Sequence, residues 1–403
     1  MKVAYIIGTY PSLTTTFIDR EIRTLRKLGL QIKILSIRMP SSKILHLDQY
    51  DGLRESILYL IPTSWFTFIT AHLYFVVFTP LVYFSLLGTL FFGPHPSIYL
   101  RIKTFLHFAE GVYAAYLLRG ERCDHVHAHF LDRASLVALC VSKFLNRPYS
   151  LTAHANDIYV KPMLVEKKIV ESKFTVTVSE FNKEHLINTY PTIDAEKIKV
   201  LHPWVDTSNF LPSLKKNKNE ALRILSVGRL VEKKGHQYLI DACHFLQQEN
   251  LNFECYIIGE GPLRSELEER VIDYGLSKNV RFLGGLPQPE VLMQLDQADL
   301  FVLACTIAKD GDRDGMPVAL AEAMAMELPV ISTDILGLNE LVKPDAGLLV
   351  PPNNPKVLAK AVQEIAGADV VVRRSMGKAG RNIVIKEFDV NNGIRRLSIF
   401  FKT

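Results

Sequence analysis

Two carboxylates flank a turn that leads into a predicted helix in the second half of the chain. Asp314 precedes the turn 315–317, and Glu322 lies five residues beyond Pro317. Pro317 suits a first helical position, and residues 318–326 are rich in helix formers. The start of a helix offers unpaired N–H groups, which bind anionic or hydroxyl-rich ligands. Because Glu322 is about 7–8 Å up the axis, the two acids can hold two ends of one ligand, whereas an ordinary surface turn is the alternative.

Two basic side chains lie in one loop that follows a predicted strand over residues 222–227. Arg229 comes directly after Gly228, and Lys234 lies five residues further on. Cations fixed at the carboxyl end of a strand donate charge-assisted hydrogen bonds, so this pair suits a diphosphate. The pattern favours a phosphorylated ligand over an ordinary basic loop, and we expect the adjacent Lys233 to face solvent.

Histidines mark two other predicted strand ends. His125, His127 and His129 alternate, so a strand places all three on one face. Such a row can suit a metal, but no acidic or cysteine ligand shares the motif, and we predict no metal site. His154 and Asp157 follow the next strand, at its carboxyl end, where ligands bind in open α/β sheets. A purely structural histidine is the alternative for His154.

The composition indicates a globular protein of more than one domain. The chain has 403 residues, 48% of them hydrophobic, so two or three domains with sizeable cores are expected. Five cysteines without paired spacing argue against a disulfide framework or zinc site and favour a reducing compartment. The net charge is +5, and residues 1–210 hold 23 Lys/Arg against 17 Asp/Glu. This excess suits an anionic membrane surface or a phosphate-bearing acceptor, although a mildly basic surface explains it equally well.

Short apolar runs that alternate with helical patterns predict α/β domains with parallel sheets. Strands over 1–7 and 32–37 enclose a helix that ends at Gly29, and this βαβ unit implies a parallel sheet. Ser179 is predicted to cap a later helix, and another helix is expected to begin near Gly235. The further predicted strands cover residues 125–129, 148–152, 174–178, 222–227, 253–258, 280–284, 298–304, 329–333 and 346–350.

An unusually apolar stretch covers residues 61–92. The 28 residues from Trp65 to Phe92 contain no charged side chain. An uncharged stretch of this length is long enough to span a bilayer. However, strands before and after it must pair in one sheet, and Pro80 divides it into two short halves. We therefore expect a helical hairpin that dips into one leaflet or packs as a lid beside an acceptor site. A buried helix pair and a true span are the alternatives.

The motifs resemble those of retaining glycosyltransferases of family 4, which have the two-Rossmann (GT-B) fold. An acid, seven residues and then Glu-Ala-Met-Ala match the family signature, with Asp314 in place of the usual first Glu and Glu322 as the second. Residues 228–235 match Gly-Arg-Leu-x-x-x-Lys-Gly. Shorter matches cover nearly the whole chain and lie at residues 10–22, 127–130, 154–157, 202–210, 259–262 and 337–342.

The resemblance implies a hexosyltransferase-type enzyme that uses a nucleotide diphosphate sugar and retains the anomeric configuration without a metal or cofactor. It implies that Arg229 and Lys234 neutralise the leaving diphosphate. Glu322 would hold the ribose, Asp314 the hydroxyls of the donor sugar, and His154 would approach the reacting carbon. The base that accepts the acceptor proton is left open. The implied nucleotide-sugar-binding residues are Gly228, Arg229, Lys234, Gly259, Gly261, Asp314, Gly315, Met316, Pro317, Glu322 and Glu340.

The same resemblance implies an acceptor-binding first domain over 1–210, a linker over 211–220, a donor-binding domain over 221–385 and a returning helix over 386–403, with a cleft between the domains. Thr16, His129 and Asp157 would lie on the acceptor side. The expected acceptor is a saccharide or lipid-linked saccharide of polysaccharide or glycolipid biosynthesis.

The apolar stretch predicts where such an enzyme would work. Arg54, Arg101 and Lys103 flank it, and we expect peripheral contact with the cytoplasmic face of a membrane and no nucleic-acid partner. Two other classes stay open: a non-catalytic, membrane-associated GT-B scaffold, and a sugar-nucleotide epimerase or phosphorylase of similar build. The intact Arg229 and Lys234 argue against the scaffold.

Overall fold

The chain forms two compact units. The computed structural model describes residues 1–12, 16–42, 52, 57–93, 95, 97–160, 162–203, 205–213 and 220–403, and for Thr16 the backbone alone. The first unit comprises Met1–Val178, Lys183–Leu201 and Ile394–Thr403, and the second comprises Ser179–Asn182 and His202–Gly393. Arg54 and most of the predicted linker lie outside the described residues.

A parallel sheet of seven strands forms the centre of the first unit. Its strands are β1 (Lys2–Thr9), β2 (Gln31–Arg38), β3 (Ile57–Ile61), β4 (His125–His129), β5 (Tyr149–Thr152), β6 (Phe174–Thr177) and β7 (Ile198–Val200). The strand order is β3-β2-β1-β4-β5-β6-β7. Strands β1 and β2 are largely buried apolar runs, as expected when helices cover both faces of a sheet. Two strands were not predicted: β3, which directly precedes the apolar stretch and merges with it in sequence, and β7, which has only three residues.

Helices connect the strands of the first unit. They are α1 (Thr16–Lys27), α2 (Trp65–Phe78), α3 (Pro80–Phe92), α4 (Ile98–Leu118), α5 (Arg133–Leu145), α6 (Ala155–Tyr159), α7 (Val165–Glu171) and α8 (Glu180–Thr189). The predicted cap of α8 is confirmed, because the Asn182 amide donates to Ser179 Oγ over 3.2 Å. A helix that begins in the second unit at Val390 ends in the first, where Phe401 packs against Tyr5, His125 and Phe174.

The second unit repeats this architecture with six parallel strands. The strands are β8 (Leu222–Val227), β9 (Phe253–Ile258), β10 (Val280–Gly284), β11 (Leu300–Leu303), β12 (Val330–Thr333) and β13 (Gly347–Val350), in the order β10-β9-β8-β11-β12-β13. The helices are α9 (His236–Gln248), α10 (Arg264–Asp273), α11 (Gln288–Gln297), α12 (Val318–Ala325), α13 (Leu338–Leu341), α14 (Pro355–Gly367), α15 (Val370–Ile383) and α16 (Val390–Lys402). The predicted fold class, two Rossmann-like parallel sheets, is confirmed.

Each sheet reverses its winding direction once. In the first unit the reversal lies between β1 and β4, and in the second it lies between β8 and β11. Loops that leave neighbouring strands at such a point run to opposite faces of the sheet, which opens a crevice at the carboxyl ends. In the second unit, the loop after β8 carries Arg229 and Lys234, and the loop after β11 carries Asp314. The topology therefore brings the predicted cations and the predicted acid together.

The apolar stretch forms two helices that meet at a sharp bend. α2 and α3 are bent by 110° where Thr79 joins them to each other, and no described helix is by itself long and apolar enough to cross a bilayer. The pair passes that test only when the two helices are taken together. Ala71, Phe75, Leu86 and Leu90 are buried in the core of the first unit. The expected helical hairpin is present, with one side packed on the core.

Candidate functional site

Glycines draw three strand-end loops of the second unit together. Gly259 has a φ of +145°, and a Cβ atom there would lie 1.9 Å from the carbonyl oxygen of Gly228. Gly235 has a φ of +64°, and a Cβ atom there would lie 1.7 Å from the carbonyl oxygen of Ala304. A Cβ at Gly261 would lie 2.3 Å from Leu230 O. No side chain fits at these positions, so glycine is required for the loops after β8, β9 and β11 to touch.

Hydrogen bonds fix the loop after β11 against the loop after β8. The Thr306 amide donates to Lys233 O over 3.0 Å, and the Lys309 amide donates to a carboxylate oxygen of Glu232 over 3.1 Å. The Ala308 amide donates to Asp312 O over 2.8 Å, which closes the second loop on itself. Because the backbone of both loops is held in this way, the acidic and basic side chains that they carry have defined positions.

Two lysines converge on Asp314. Lys234 Nζ lies 2.5 Å from Asp314 Oδ2, and Lys233 Nζ lies 3.5 Å from Asp314 Oδ1. Lys233 Nζ also lies 3.0 Å from Asp312 Oδ2. The expectation that Lys233 faces solvent is wrong, since its side chain is only 19% exposed. We name Lys233, Lys234, Asp312 and Asp314 the lysine–aspartate cluster.

The cluster is charged, although much of it is buried. Burial alone would raise the pKa of Asp314, but Lys234 and then Lys233 hold that pKa below its usual value. Burial is the largest single effect and opposes the charge of Lys234, yet Asp314, together with Cys305 and Asp312, raises the pKa of the lysine. His236 lies beside the cluster, where burial and the positive charge of Lys234 lower its pKa to about 4. The site therefore presents two ammonium groups and a neutral imidazole at pH 7.

Arg229 has a different environment from the two lysines. Its side chain is exposed, and it forms no ion pair within the described residues. Gly228 lies under the stem of Lys234, because a Cβ atom at Gly228 would be 3.2 Å from Lys234 Cδ. The loop after β8 thus places one exposed guanidinium group and one ion-paired ammonium group at the same strand end, as the sequence predicted for a diphosphate.

The predicted acid pair lies at the start of α12. Pro317 occupies the N-cap rather than the first helical position, and the helix runs over Val318–Ala325. The turn residues Gly315, Met316 and Pro317 are buried, whereas Glu322 is half-buried, one turn inside the helix. Asp314 accordingly lies before the helix and Glu322 within it, in the order that the spacing indicated.

Glu340 makes contacts that the sequence did not predict. Its carboxylate accepts hydrogen bonds from the amides of Glu180 and Phe181 over 2.9 and 3.1 Å, within the second unit. A carboxylate at this position satisfies two unpaired donors of the first turn of α8. Both oxygens of Glu340 therefore act in helix capping, and its role as a nucleotide-sugar ligand stays a prediction.

His154 is held in a pocket of rings in the first unit. Its ring lies 5.1 Å from Phe17 and 4.6 Å from Phe130, measured between centroids. Burial, with His129 adding a smaller effect, lowers its pKa to about 3, so the imidazole is neutral at pH 7. Its Nε2 atom is buried and has no hydrogen-bond partner within the described part of the chain.

Two of the predicted acceptor-side residues, His129 in β4 and Asp157 in α6, are buried. Asp157 accepts hydrogen bonds from the amides of His154 and Leu131, and burial raises its pKa to about 7. His129 is 1% exposed, and its Nε2 atom lies 3.1 Å from Glu21 Oε1. The side chain of Thr16 lies outside the described residues. Asp157 thus fixes the ends of β4 and β5, and the acceptor roles of all three residues stay predictions.

An acidic residue from outside the histidine motif reaches the histidine row. Glu21, from α1, has a ligand atom within 4.8 Å of ligand atoms of His127 and His129. However, Ser150 and Thr152 hydroxyls bond to the two ring nitrogens of His127 over 2.8 and 3.1 Å. Glu21 Oε1 accepts from Tyr5 OH over 2.6 Å. This group therefore forms a hydrogen-bond network, and the absence of a metal site stays a prediction.

Comparison with known proteins agrees with this geometry. Residues 209–383 match the family model of glycosyl transferases group 1, and residues 76–209 match that of glycosyltransferase family 4. The amylovoran biosynthesis glycosyltransferase AmsK of Erwinia amylovora is 39% identical over 207 residues, 51% of this chain and 50% of AmsK. The putative colanic acid biosynthesis glycosyltransferase WcaL of Escherichia coli K12 is 38% identical over 195 residues, 48% of each chain. The chain thus spans about half the length of these two relatives.

Solved structures resemble both units together. The structure of Anabaena Alr3699/HepE in complex with UDP superposes with a TM-score of 0.73 at 15% identity, and covers 100% of both chains. The two parallel-sheet domains therefore have the GT-B fold of known glycosyltransferase structures. The two matched models are both of glycosyltransferases, and the two relatives are named for amylovoran and colanic acid biosynthesis.

Sequence reasoning missed three contributors to the site. Lys233 was expected to face solvent, yet acids two residues apart give both lysines a partner. Asp312 was not included, although its spacing to Asp314 is visible in the sequence. His236 directly follows Gly235, and no sequence pattern indicates that its ring turns toward Lys234.

Proposed function

We propose that this protein is a retaining, metal-independent glycosyltransferase that moves a sugar from a nucleotide diphosphate sugar to a saccharide or lipid-linked saccharide. The observation that carries the proposal is the lysine–aspartate cluster beside Arg229, at the point where the second sheet reverses direction. Cations fixed at that point stabilise charge on a departing diphosphate, which is the role that divalent metals have in other transferases.

When the donor binds, its phosphates would replace the aspartates as the ion-pair partners of the two lysines. Arg229, Lys233 and Lys234 bind the two phosphates, so the ammonium groups leave the Asp314 carboxylate. That carboxylate then accepts hydrogen bonds from hydroxyls of the donor sugar, while Glu322 holds the ribose. Because Asp314 becomes available only when the phosphates are bound, the site favours the complete sugar nucleotide over a free sugar.

The reaction itself requires little covalent chemistry from the protein. The bond between the anomeric carbon and the diphosphate oxygen breaks, and a bond from the acceptor oxygen to the same face of that carbon forms. The acceptor proton moves to the departing phosphate oxygen, and a nucleoside diphosphate leaves. His154 is neutral at pH 7, so it would orient the donor sugar through a hydrogen bond without adding a charge to the site.

The acceptor is proposed to be a growing polysaccharide or its lipid-linked precursor, bound by the first unit. Two relatives named for amylovoran and colanic acid biosynthesis support this class. The UDP complex of the Anabaena protein supports a nucleoside diphosphate leaving group. We further propose that the enzyme works peripherally at the cytoplasmic face of a membrane.

A panel of UDP- and GDP-sugars tests the proposal. The protein is incubated with each donor and a lipid-linked or soluble saccharide, in EDTA, and the release of nucleoside diphosphate and the glycoside are measured. We expect one donor to react in EDTA, and proton NMR of the product to show the anomeric configuration of the donor. An inverted product refutes retention, and activity that returns only with Mg²⁺ or Mn²⁺ refutes metal independence. No product from any donor contradicts the transferase assignment.

A further inference from the structure

We propose that the outward sides of α2, α3 and the first turns of α4 insert into one leaflet of a bilayer that contains anionic lipid. These sides, the apolar face, comprise the exposed apolar side chains of residues 65–106. Phe66 is 83% exposed, Leu81 86% and Ile98 78%. An exposed apolar surface drawn from three consecutive helices marks an interaction site rather than ordinary surface. The inference specifies the membrane contact proposed above and rests on no step of sugar transfer.

The helix periodicity shows that the exposure is organised. In α2 the exposed residues Phe66, Leu73 and Val77 follow one another at helical spacing, whereas Ala71 and Phe75 on the other side are buried in the core. Both sides of the helix are therefore apolar, but among the described residues only one side packs on the protein core. Because the helix is apolar on every side and the protein core covers only one side, the exposed side requires another apolar environment.

Two threonine hydroxyls on the apolar face are bonded within their own helices. The Thr70 hydroxyl donates to Phe66 O over 2.9 Å, and the exposed Thr89 hydroxyl donates to Ser85 O over 2.7 Å. Hydroxyl groups that donate back to the helix need no water, which is the requirement for backbone and side chains in hydrocarbon. These contacts favour lipid as the occupant.

The charge pattern favours lipid of negative charge. Between residues 57 and 109 the sequence contains no Asp or Glu, and its charged residues are Arg101 and Lys103. Lys103 lies 4.5 Å from the ring centre of Tyr99, beside the apolar face. Aromatic rings and cations next to an apolar surface are typical of the headgroup region, where each cation strengthens binding to anionic lipid.

The geometry limits insertion to one leaflet. α2 and α3 have 14 and 13 residues, so each is about 20 Å long, shorter than the roughly 30 Å hydrocarbon core. β3 and β4, on either side of the helices, belong to the same sheet. Both ends of the segment therefore lie on one side of the membrane, and the apolar face enters about 5–10 Å deep.

Tryptophan fluorescence gives a direct test. Trp65 is 73% exposed, and the chain has one other tryptophan, Trp204, so Trp204→Phe makes Trp65 the sole reporter. Phosphatidylglycerol/phosphatidylcholine vesicles should shift its emission to the blue, and lipids brominated near the headgroup should quench it more than lipids brominated near the chain end. Unchanged emission at saturating lipid overturns the proposal.

Vesicle flotation with matched variants completes the test. Substituting Ser for Phe66, Leu73, Leu81 and Phe84 should weaken vesicle binding at least a hundredfold. The matched control, Ser for the equally exposed Leu211, Ile272, Met293 and Val371 of the second unit, should leave it unchanged. Arg101→Gln with Lys103→Gln should weaken binding to anionic vesicles about tenfold and spare neutral ones.

Three further outcomes overturn the inference. In the first, wild type binds none of the vesicles. In the second, the four-Ser variant floats with vesicles as well as wild type does. In the third, wild type is a dimer, the four-Ser variant is a monomer, and vesicles bind neither. The last would assign the apolar face to a second copy of the chain. Because no sugar donor is present, each of these results leaves the transferase proposal standing.

Discussion

The carboxyl ends of the two sheets use polar residues in opposite ways. In the second unit, Lys234 and Asp314 are paired as ions 2.5 Å apart, and the pKa values of both favour the charged forms. In the first unit, burial lowers the pKa of His154 to about 3 and that of His127 well below its usual value, so both rings are neutral. One strand-end surface is built around charge, and the other around shape and neutral hydrogen bonds.

On the proposed function, this difference would separate donor binding from acceptor binding. A diphosphate requires fixed positive charge, whereas a sugar acceptor offers hydroxyls and needs neutral partners and close packing. Arg229 is exposed and the histidine row is buried, so the second unit should contribute mainly to turnover and the first unit's polar network mainly to stability. Substitutions in the two regions can break or confirm this division.

The largest effect is expected at the basic loop after β8. Arg229→Ala and Lys234→Ala should each lower kcat by about 100-fold or more, because each removes a cation from the leaving diphosphate. Arg229→Ala should leave Tm unchanged, since its side chain has no ion-pair partner within the described residues. Arg374→Ala and Lys278→Ala, at exposed positions, are the controls. Wild-type turnover in either loop variant would end the diphosphate assignment.

The next effect is expected in the first unit, on stability. His127→Ala leaves the Ser150 and Thr152 hydroxyls without the ring nitrogens that they contact, which should cost about 1–3 kcal/mol in the free energy of unfolding. Denaturant unfolding measures this, and kcat at saturating substrate should change less than threefold. A stable variant with strongly reduced turnover would show that the histidine network acts in catalysis.

A smaller effect distinguishes the two acids of the second unit. Glu322→Ala should weaken binding of free UDP or GDP about tenfold, because it removes a contact with the ribose. Asp314→Asn should spare free nucleotide and weaken only the sugar conjugate. Calorimetric titration of both ligands into both variants checks this. Equal losses of affinity for free nucleotide in the two variants would contradict the proposal that Asp314 and Glu322 hold opposite ends of the donor.

The smallest effect concerns pH. Burial, with a smaller effect of Lys173, lowers the pKa of His125 to about 3, against about 6.5 in an unfolded chain. Below pH 6.5 the unfolded chain binds a proton that the folded chain excludes, so this contribution to stability is lost as pH falls. Wild type should therefore lose about 1 kcal/mol relative to His125→Asn between pH 7 and 5.5. If the difference in unfolding free energy between wild type and His125→Asn is the same at pH 7 and pH 5.5, His125 is not a buried neutral ring.

Local features were predictable from sequence, and long-range contacts were not. Apolar runs and glycines predicted all the strands except β3 and β7, and the start of α9 after Gly235, because these features depend on neighbouring residues. The pairing of Lys233 with Asp312, 79 residues away, depends on which loops meet. The contact of Glu21 with His129 spans 108 residues, so spacing within the histidine motif could not reveal it. The resemblance to a family suggested the roles of the site residues, whereas the structure showed which side chains contact one another.

Calorimetric titration of nucleoside diphosphates in EDTA tests the central claim most directly. UDP and GDP, with UMP and GMP as controls, are titrated into wild type and into Arg229→Ala/Lys234→Ala. The account predicts that wild type binds at least one diphosphate more tightly than its monophosphate, and that the double variant loses this preference and at least 100-fold in affinity. Binding of neither diphosphate by wild type, or equal binding by the double variant, would contradict the claim that the second unit holds the leaving group.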